Sequence, residues 1–250
     1  MPSHPRRSPN EQVFPIKTTG HRRYKYAVAF VALGIALLIS AYRTSTWIGW
    51  LIFAWFATSL LLVGIAYAIK WAGVFGKTAT GAVHSILIVI MLPFLLFTWI
   101  VWFFQNRFVS ASTWNRVTPR IYLGRRCQRT HLPPDISCIV DVTAEFPFPR
   151  SVRDGCFVIS IPTLDGCPPR WRDCQRVFEF MERNPNAAIY VYCANGHGRS
   201  VTLVATLLGL LGEASSVNGA LEIIKSARPT ISPNSDQRHF LNEAFHHSCS

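Results

Sequence analysis

The residues best suited to chemistry lie within one short run of the chain. The run reads Cys193-Ala194-Asn195-Gly196-His197-Gly198-Arg199-Ser200. A cysteine thiolate is a nucleophile, and an arginine guanidinium presents a planar fork of N–H groups that matches two oxygens of a phosphate. Gly196 and Gly198 permit a turn whose backbone N–H groups point inward. This combination favours attack by sulfur on a bound phosphate group.

The sequence on either side places this run between a strand and a helix. Residues 188–192 are apolar and predict a buried strand that ends at Cys193, and the apolar pattern in 201–208 predicts a helix that begins after the turn. A helix N-terminus carries unpaired N–H groups and partial positive charge, which bind an anion and favour a thiolate. We therefore expect an anion cradle with a sulfur atom at its base.

The spacing Cys-x5-Arg-Ser resembles the phosphate loop of cysteine-dependent phosphatases of the tyrosine and dual-specificity kind. The resemblance implies that Cys193 attacks phosphorus to give a phosphocysteine, that Arg199 binds the phosphoryl group and that Ser200 helps the thiolate leave in the second step. The phosphate-binding residues that it implies are Ala194, Asn195, Gly196, His197, Gly198 and Arg199.

Two positions of the loop differ from common relatives. Tyr192 stands before the cysteine, where many relatives have a histidine that orients the nucleophile, so activation here rests more on the helix and Arg199. His197 occupies a position that is often basic in phosphoinositide phosphatases. We interpret His197 as a hydrogen-bonding loop residue, and a positive charge at mildly acidic pH is the alternative.

The leaving oxygen needs a proton, so an acid must face the nucleophile. In the family this acid is an aspartate on a mobile loop before the cysteine, and Asp165 fits because it follows a strand pattern and precedes Gly166. Asp154 precedes that strand and Asp173 falls in a helical pattern, so they are less suitable alternatives. The carboxylates with predicted structural roles are Asp141 and Glu145.

A second segment, residues 228–234, resembles one that packs behind the phosphate loop in dual-specificity phosphatases and in a related mitochondrial lipid phosphatase. We expect it to support the loop, with Ser232 as the cap of a final helix. No cofactor and no metal is expected, because thiolate, arginine and helix dipole already supply nucleophile and charge stabilisation.

The seven cysteines are odd in number and show no metal-ligand spacing. We expect free thiols and a reducing compartment. In some relatives a second cysteine forms a protective disulfide with the nucleophile, and the resemblance leaves its partner in this chain open. The cysteines are Cys127, Cys138, Cys156, Cys167, Cys174, Cys193 and Cys249.

The first 110 residues differ in composition from the rest. Residues 1–25 are predicted to be a disordered basic tail, and residues 26–106 a transmembrane region with two or three helices. The apolar segments are 27–42, 47–69 and 84–104, of which the first is short. They contain no carboxylate, which favours anchorage over an ion pathway.

The formal net charge of +12 favours anionic partners, either lipid headgroups or phosphorylated substrates. No nucleic-acid module is present in the sequence, so nucleic acid is not an expected partner. Basic residues precede the first segment and follow the third, and the positive-inside rule therefore places both ends in the cytoplasm. Three spans would instead place the two ends on opposite sides. We expect a multi-pass membrane protein with a cytoplasmic catalytic domain; the oligomeric state is left open.

Residues 114–247 alternate between short strands and amphipathic helices. Strands are predicted at 120–124, 137–145, 156–161 and 188–192, and helices at 170–183, 201–208, 217–227 and from 232 onward. The predicted fold class is α/β, with a central mostly parallel sheet flanked by helices as in dual-specificity phosphatases, preceded by an all-α transmembrane region.

These observations predict a membrane-anchored cysteine-dependent phosphatase that hydrolyses phosphomonoesters. The first hypothesis for its substrate is a protein phosphorylated on tyrosine, serine or threonine. The alternative is a lipid phosphatase acting on phosphatidylglycerophosphate or phosphoinositides, and a second alternative is an inactive phosphate-binding module.

Overall fold

The computed structural model describes residues 21–108, 112–126, 131–149 and 155–248. Most of the predicted tail, together with Cys127, Asp154 and Cys249, lies outside this part. The helices are α1 His21–Arg43, α2 Trp47–Ile69, α3 Ser85–Phe108, α4 Trp171–Arg183, α5 Arg199–Leu210, α6 Val217–Ala227 and α7 Ser235–Ser248, with a 3₁₀ turn at Ala72–Phe75. The strands are β1 Trp114–Thr118, β2 Ile121–Arg125, β3 Ile136–Asp141, β4 Phe157–Ser160 and β5 Ala188–Cys193.

The five strands form one sheet in the order β1-β2-β5-β3-β4. Only β1 is antiparallel to its neighbour, and the remaining pairs are parallel, which confirms the predicted mostly parallel sheet. The register pairs Arg125 with Cys193 and Asp141 with both Tyr192 and Ser160. The carboxyl ends of β2, β5, β3 and β4 therefore meet at one edge, and the loops that follow them converge there.

Alternate residues of β5 face different environments, as a strand requires. Ile189, Val191 and Cys193 lie in the main hydrophobic core, which they share with helices α4 to α7. Tyr190 and Tyr192 point to the other face of the sheet, into a smaller aromatic cluster. The nucleophile candidate thus sits at the end of a strand that is fixed on both faces.

Two predicted element ends are wrong for local reasons. Strand β3 ends at Asp141 and not at 145, because its carboxylate accepts hydrogen bonds from the backbone N–H and hydroxyl of Thr143 and turns the chain. The last helix begins at Ser235, and Ser232 is not its cap. Asn234 and Gln237 exchange side-chain-to-backbone bonds of 3.0 Å each, which is a capping box.

The three N-terminal helices are each long and apolar enough to cross a membrane. Helix α1 begins at His21, so it includes residues that the sequence suggested were tail, and it is longer than the predicted segment. Helices α1 and α2 pack closely as an antiparallel pair, since a Cβ on Gly64 would lie 2.6 Å from Val31. Their core is continuous with the α/β domain, residues 114–247, through Ala144 and Leu164.

Candidate active site

The phosphate loop connects β5 to α5 and has little room for side chains. Gly196 has φ +74°, and a Cβ there would lie 2.5 Å from the carbonyl oxygen of Gly124. Both the left-handed backbone and the close approach require glycine. Gly198 does not use positive φ; its φ is −123°, and a Cβ there would lie 3.0 Å from Gln237.

The sulfur of Cys193 lies at the base of this loop. The backbone N–H of Gly196 donates to Sγ at 3.2 Å, and the hydroxyl of Ser200 lies 3.2 Å from the same atom. Because Arg199 and Ser200 open α5, the sulfur lies next to a helix N-terminus. The structure therefore brings together the cysteine, the helix start and the hydroxyl that the sequence suggested.

The guanidinium of Arg199 is buried, with 2% of the residue exposed. Its Nη1 donates to Glu145 Oε2 at 2.8 Å and to the carbonyl of Thr163 at 2.9 Å, and its Nη2 donates to Glu145 Oε1 at 2.7 Å. Burial by itself lowers the pKa of Arg199, but the charges of Glu145 and Asp165 and the hydrogen bonds to Glu145 together outweigh it and hold the pKa above its usual range. Nε has no partner among the described residues.

Glu145 lies at the candidate site through a contact that the sequence does not predict. It was predicted to be structural, but its partner was not identified. The signal available was its position just after a strand that ends at the same sheet edge as Cys193. A buried arginine needs an anion, and Glu145 holds both terminal nitrogens of Arg199 in a fork.

Asp165 lies above the loop with its side chain 69% exposed and Oδ1 3.2 Å from Arg199 Nη2. Its loop is held in place from two sides. The hydroxyl of Tyr67 in α2 donates to the Asp165 carbonyl at 3.2 Å, and Asn234 donates to the carbonyl of Gly166 at 2.8 Å. Of the alternative acids, Asp173 lies in α4, where it pairs with Arg176 on the surface.

The segment after α6 supports the phosphate loop from behind, as the sequence predicted. Arg228 donates to the carbonyls of Gly196 at 3.1 Å and Asn195 at 3.3 Å. His197 Nδ1 lies 2.6 Å from the carbonyl of Thr230, which can only accept, so Nδ1 carries the proton. Burial lowers the pKa of His197, which favours the neutral ring and the hydrogen-bonding interpretation over the charged one.

A buried ion pair lies beneath the site and connects it to the segment between α2 and α3. Lys77, between α2 and α3, places Nζ 2.7 Å from Asp141 Oδ2 and 2.6 Å from the carbonyl of Thr143. Burial lowers the pKa of Lys77, and the charge of Asp141 opposes that shift. Asp141 therefore has the structural role predicted for it, with a partner that is distant in sequence.

Helix α3 forms one wall of the site. The indole N–H of Trp102 donates to the carbonyl of Ala194 at 3.0 Å, and that of Trp99 donates to the carbonyl of Glu145 at 3.0 Å. Asn195 donates to Gln105 at 3.0 Å. The phosphate loop is thus bonded directly to a helix that the sequence suggested was only an anchor.

A cavity of about 340 Å³ leads to Cys193. Its polar end is formed by the phosphate loop with Asp165 and Glu145. The three N-terminal helices and the 3₁₀ turn supply the apolar walls. These wall residues are Tyr26, Phe30, Tyr67, Phe75, Phe94, Phe97, Val101 and Trp102. Phe97 and Val101 are also 64% and 37% exposed, so the cavity opens on the apolar outer surface of α3.

Four of the described cysteines, Cys138, Cys167, Cys174 and Cys193, are free thiols. Burial raises the pKa of Cys138 to about 12 and that of Cys167 to about 11. Among them the structure forms no disulfide with Cys193, so the partner that relatives use is not identified here.

Comparison with known proteins agrees with this geometry. The family model described as "Swiss Army Knife protein, DSP-PTPase phosphatase domain" matches residues 124–249, about half of the 250-residue chain. The structure of human DUSP28 superposes with a TM-score of 0.50 at 21% identity, covering 56% of this chain and 97% of that one. This likeness supports the fold.

Two further structures are slightly less similar. Tk-PTP in its active form gives a TM-score of 0.49 at 20% identity, covering 54% of this chain and 97% of that one. PTPMT1 gives 0.49 at 20% identity, covering 54% and 96%. No match was found among curated proteins.

Proposed function

The chain belongs to the DSP-PTPase phosphatase family, and from this premise we propose that its substrate is a phosphomonoester carried by a membrane phospholipid. The observation that carries the proposal is the cavity that ends at Cys193. Its walls come from the helices that are apolar enough to span a membrane, and its rim at Phe97 and Val101 is exposed apolar surface. A lipid can place its phosphate on the loop while its acyl chains stay on that surface.

In the first proposed step, Cys193 Sγ attacks phosphorus as the bond from phosphorus to the leaving oxygen breaks, and protonated Asp165 gives its proton to that oxygen. The free Nε of Arg199 donates to one phosphate oxygen. A second oxygen competes with Asp165 for Nη2 of the same guanidinium. Phosphate binding therefore releases Asp165 to turn toward the leaving group.

In the second proposed step, water attacks the phosphocysteine and the sulfur–phosphorus bond breaks. The Asp165 carboxylate accepts a proton from that water, which restores the acid. The hydroxyl of Ser200, 3.2 Å from the sulfur, donates to the departing thiolate. The products are the dephosphorylated lipid and inorganic phosphate, and Cys193 returns to its starting state.

The same cavity weighs against a phosphoprotein as the preferred substrate. From the sequence alone, a phosphoprotein is the first hypothesis for the substrate. A phosphorylated side chain in a protein would have to bring its flanking backbone past Phe97 and Val101, on a surface that favours hydrocarbon. A lipid gains from those contacts, and binding energy from its remote part can be used at the reacting centre.

The test compares three substrates on the full-length protein in detergent micelles. They are p-nitrophenyl phosphate, a phosphotyrosine peptide and a phospholipid monoester such as phosphatidylglycerophosphate. We expect kcat/KM for the lipid to exceed that for the peptide by about tenfold or more, which is the discrimination that one modest apolar contact provides. Cys193→Ser should abolish all three reactions.

A matched pair of variants tests the wall itself. Phe97 and Phe103 lie on the same helix with similar exposure, 64% and 59%, but only Phe97 lines the catalytic cavity. Phe97→Ser should lower the lipid rate and leave p-nitrophenyl phosphate unchanged, whereas Phe103→Ser should have a smaller effect on the lipid. Equal rates on lipid and peptide would refute the lipid assignment alone, and no turnover of p-nitrophenyl phosphate would refute the reaction.

A further inference from the structure

Both ends of helix α3 contact the phosphatase part of the chain, residues 114–247. Before the helix, Lys77 is bonded to Asp141 at 2.7 Å and the carbonyl of Gly81 accepts from Phe148 N–H at 3.1 Å. Near its other end, Asn106 accepts from Arg125 at 2.9 Å. The ends of a crossing helix lie on opposite sides of about 30 Å of hydrocarbon. One folded domain cannot contact both ends of such a helix.

The hydrogen-bond ladder of α3 is interrupted at Pro93. Proline has no N–H, so the carbonyl of Val89 loses its helical donor, and the indole of Trp55 in α2 donates to it at 3.0 Å. The N–H of Phe94 donates to Ser59 Oγ at 3.3 Å. The first half of α3 is therefore bonded to α2. The second half, residues 94–108, lies along the phosphatase part.

This second half has two distinct faces. Leu95 is buried, and the side chains of Trp99, Trp102 and Asn106 make the contacts to the site described above. The opposite face is exposed and apolar. Its residues are Leu96, Phe97, Ile100, Phe103 and Phe104, at 45%, 64%, 53%, 59% and 55% exposure. So large a contiguous apolar face requires an apolar partner.

Helices α1 and α2 have the features of a crossing pair. Arg23 of α1 approaches the carbonyl of Ala68 in α2 at 3.5 Å, and Tyr67 bonds to the Asp165 loop, so these ends lie beside the catalytic site. The other ends meet at residues 44–46. There Tyr42, Trp47 and Trp50 are 89%, 73% and 52% exposed, as in an interfacial aromatic belt.

We propose that α1 and α2 alone cross the membrane and that the second half of α3 lies in the leaflet next to the catalytic site, with its exposed face against acyl chains. The amino end of α1 and the phosphatase part then lie on the same side. This arrangement places Arg23, Lys25, Lys70 and Lys77 on the catalytic side and Arg43 on the other. With two spans, the basic residues that precede α1 and those that follow α3 lie on the same side, as the positive-inside rule requires.

Labelling of single introduced cysteines in the full-length protein tests this arrangement. Ser45→Cys, Thr80→Cys and Glu179→Cys place exposed thiols between α1 and α2, between α2 and α3, and on α4. Sealed vesicles are treated with a membrane-impermeant maleimide before and after permeabilisation, and labelled sites are identified by mass spectrometry, so native cysteines do not interfere.

We expect Thr80→Cys and Glu179→Cys to be labelled from one side and Ser45→Cys only from the other. Labelling of Thr80→Cys opposite to Glu179→Cys would show that α3 crosses and would overturn the proposal. Labelling of all three from one side would overturn it as well, since no helix would then cross. The proposal does not depend on the substrate or on turnover.

The depth of α3 in the bilayer gives a second test, and it needs no substitution near Lys77. Spin labels at Phe97, Ile100 and Phe104 report their distance from the bilayer surface by collision with polar and apolar quenchers. A helix lying in the interface places all three at one shallow depth. A crossing helix separates the first from the last by about 10 Å, from 1.5 Å rise per residue, and that result would refute the interfacial position.

Discussion

Replacement of Glu145 by glutamine tests how Arg199 is held. Glu145 bonds both terminal nitrogens of the guanidinium at 2.7 and 2.8 Å, and their side chains are 7% and 2% exposed. The amide of glutamine keeps one acceptor, but its NH₂ group faces the other N–H of Arg199. The substitution therefore removes the counter-charge and breaks the fork without creating a cavity.

The expected loss follows from these contacts. Removing one partner of a buried ion pair costs about 3–5 kcal/mol of stability, and we expect about 3 kcal/mol here because Asp165 remains beside the guanidinium. A misplaced phosphate-binding group lowers kcat/KM by about 100-fold. Since the proposed mechanism has Arg199 bind the phosphate both before and during the reaction, KM should rise and kcat should fall.

The assay combines denaturant unfolding of the purified protein with kinetics on p-nitrophenyl phosphate. Glu179→Gln is the matched control, because Glu179 is 57% exposed and its 3.3 Å pair with Arg183 is worth less than about 0.5 kcal/mol. A double-mutant cycle with Arg199→Lys separates positioning from general destabilisation. If Arg199→Lys lowers kcat/KM and the free energy of unfolding by as much in the Glu145→Gln protein as in the native one, Glu145 does not act through Arg199 and the reasoning is wrong.

Three further changes have defined outcomes. Gly196→Ala should lower kcat/KM by about 100-fold because its Cβ meets a backbone carbonyl, while Gly212→Ala, which also has positive φ but open space, should remain active. Because the pKa of His197 is lowered in the folded state, the unfolded chain binds the proton first as the pH falls below about 6.5, so stability falls on acidification until the folded ring is protonated too, and His197→Gln should flatten the dependence of the melting temperature on pH. Lys77→Met should destabilise by about 3 kcal/mol, with Asp141→Asn added to it restoring part of the loss; a double variant as unstable as the single one would contradict the pairing.

The local features of the site were predictable from the sequence because strand, turn and helix are encoded by neighbouring residues. Cys193 and Arg199 belong to one such unit. The fork between Glu145 and Arg199 was not predictable, since the two residues are 54 positions apart and the sequence pattern after the strand does not give the direction of the Glu145 side chain. The bond from Trp102 to Ala194 spans 92 positions, and hydropathy describes a helix such as α3 only as apolar.

The segment after β3 links the three N-terminal helices to the candidate active site. Glu145 accepts from Trp99 of α3 through its backbone and holds Arg199 through its side chain. Lys77, in the connection between α2 and α3, fixes Asp141 and Thr143 at the start of the same segment. Any movement of α3 relative to the sheet therefore strains the residues that orient the guanidinium. The N-terminal helices are thus part of the candidate site, because the position of Arg199 depends on them.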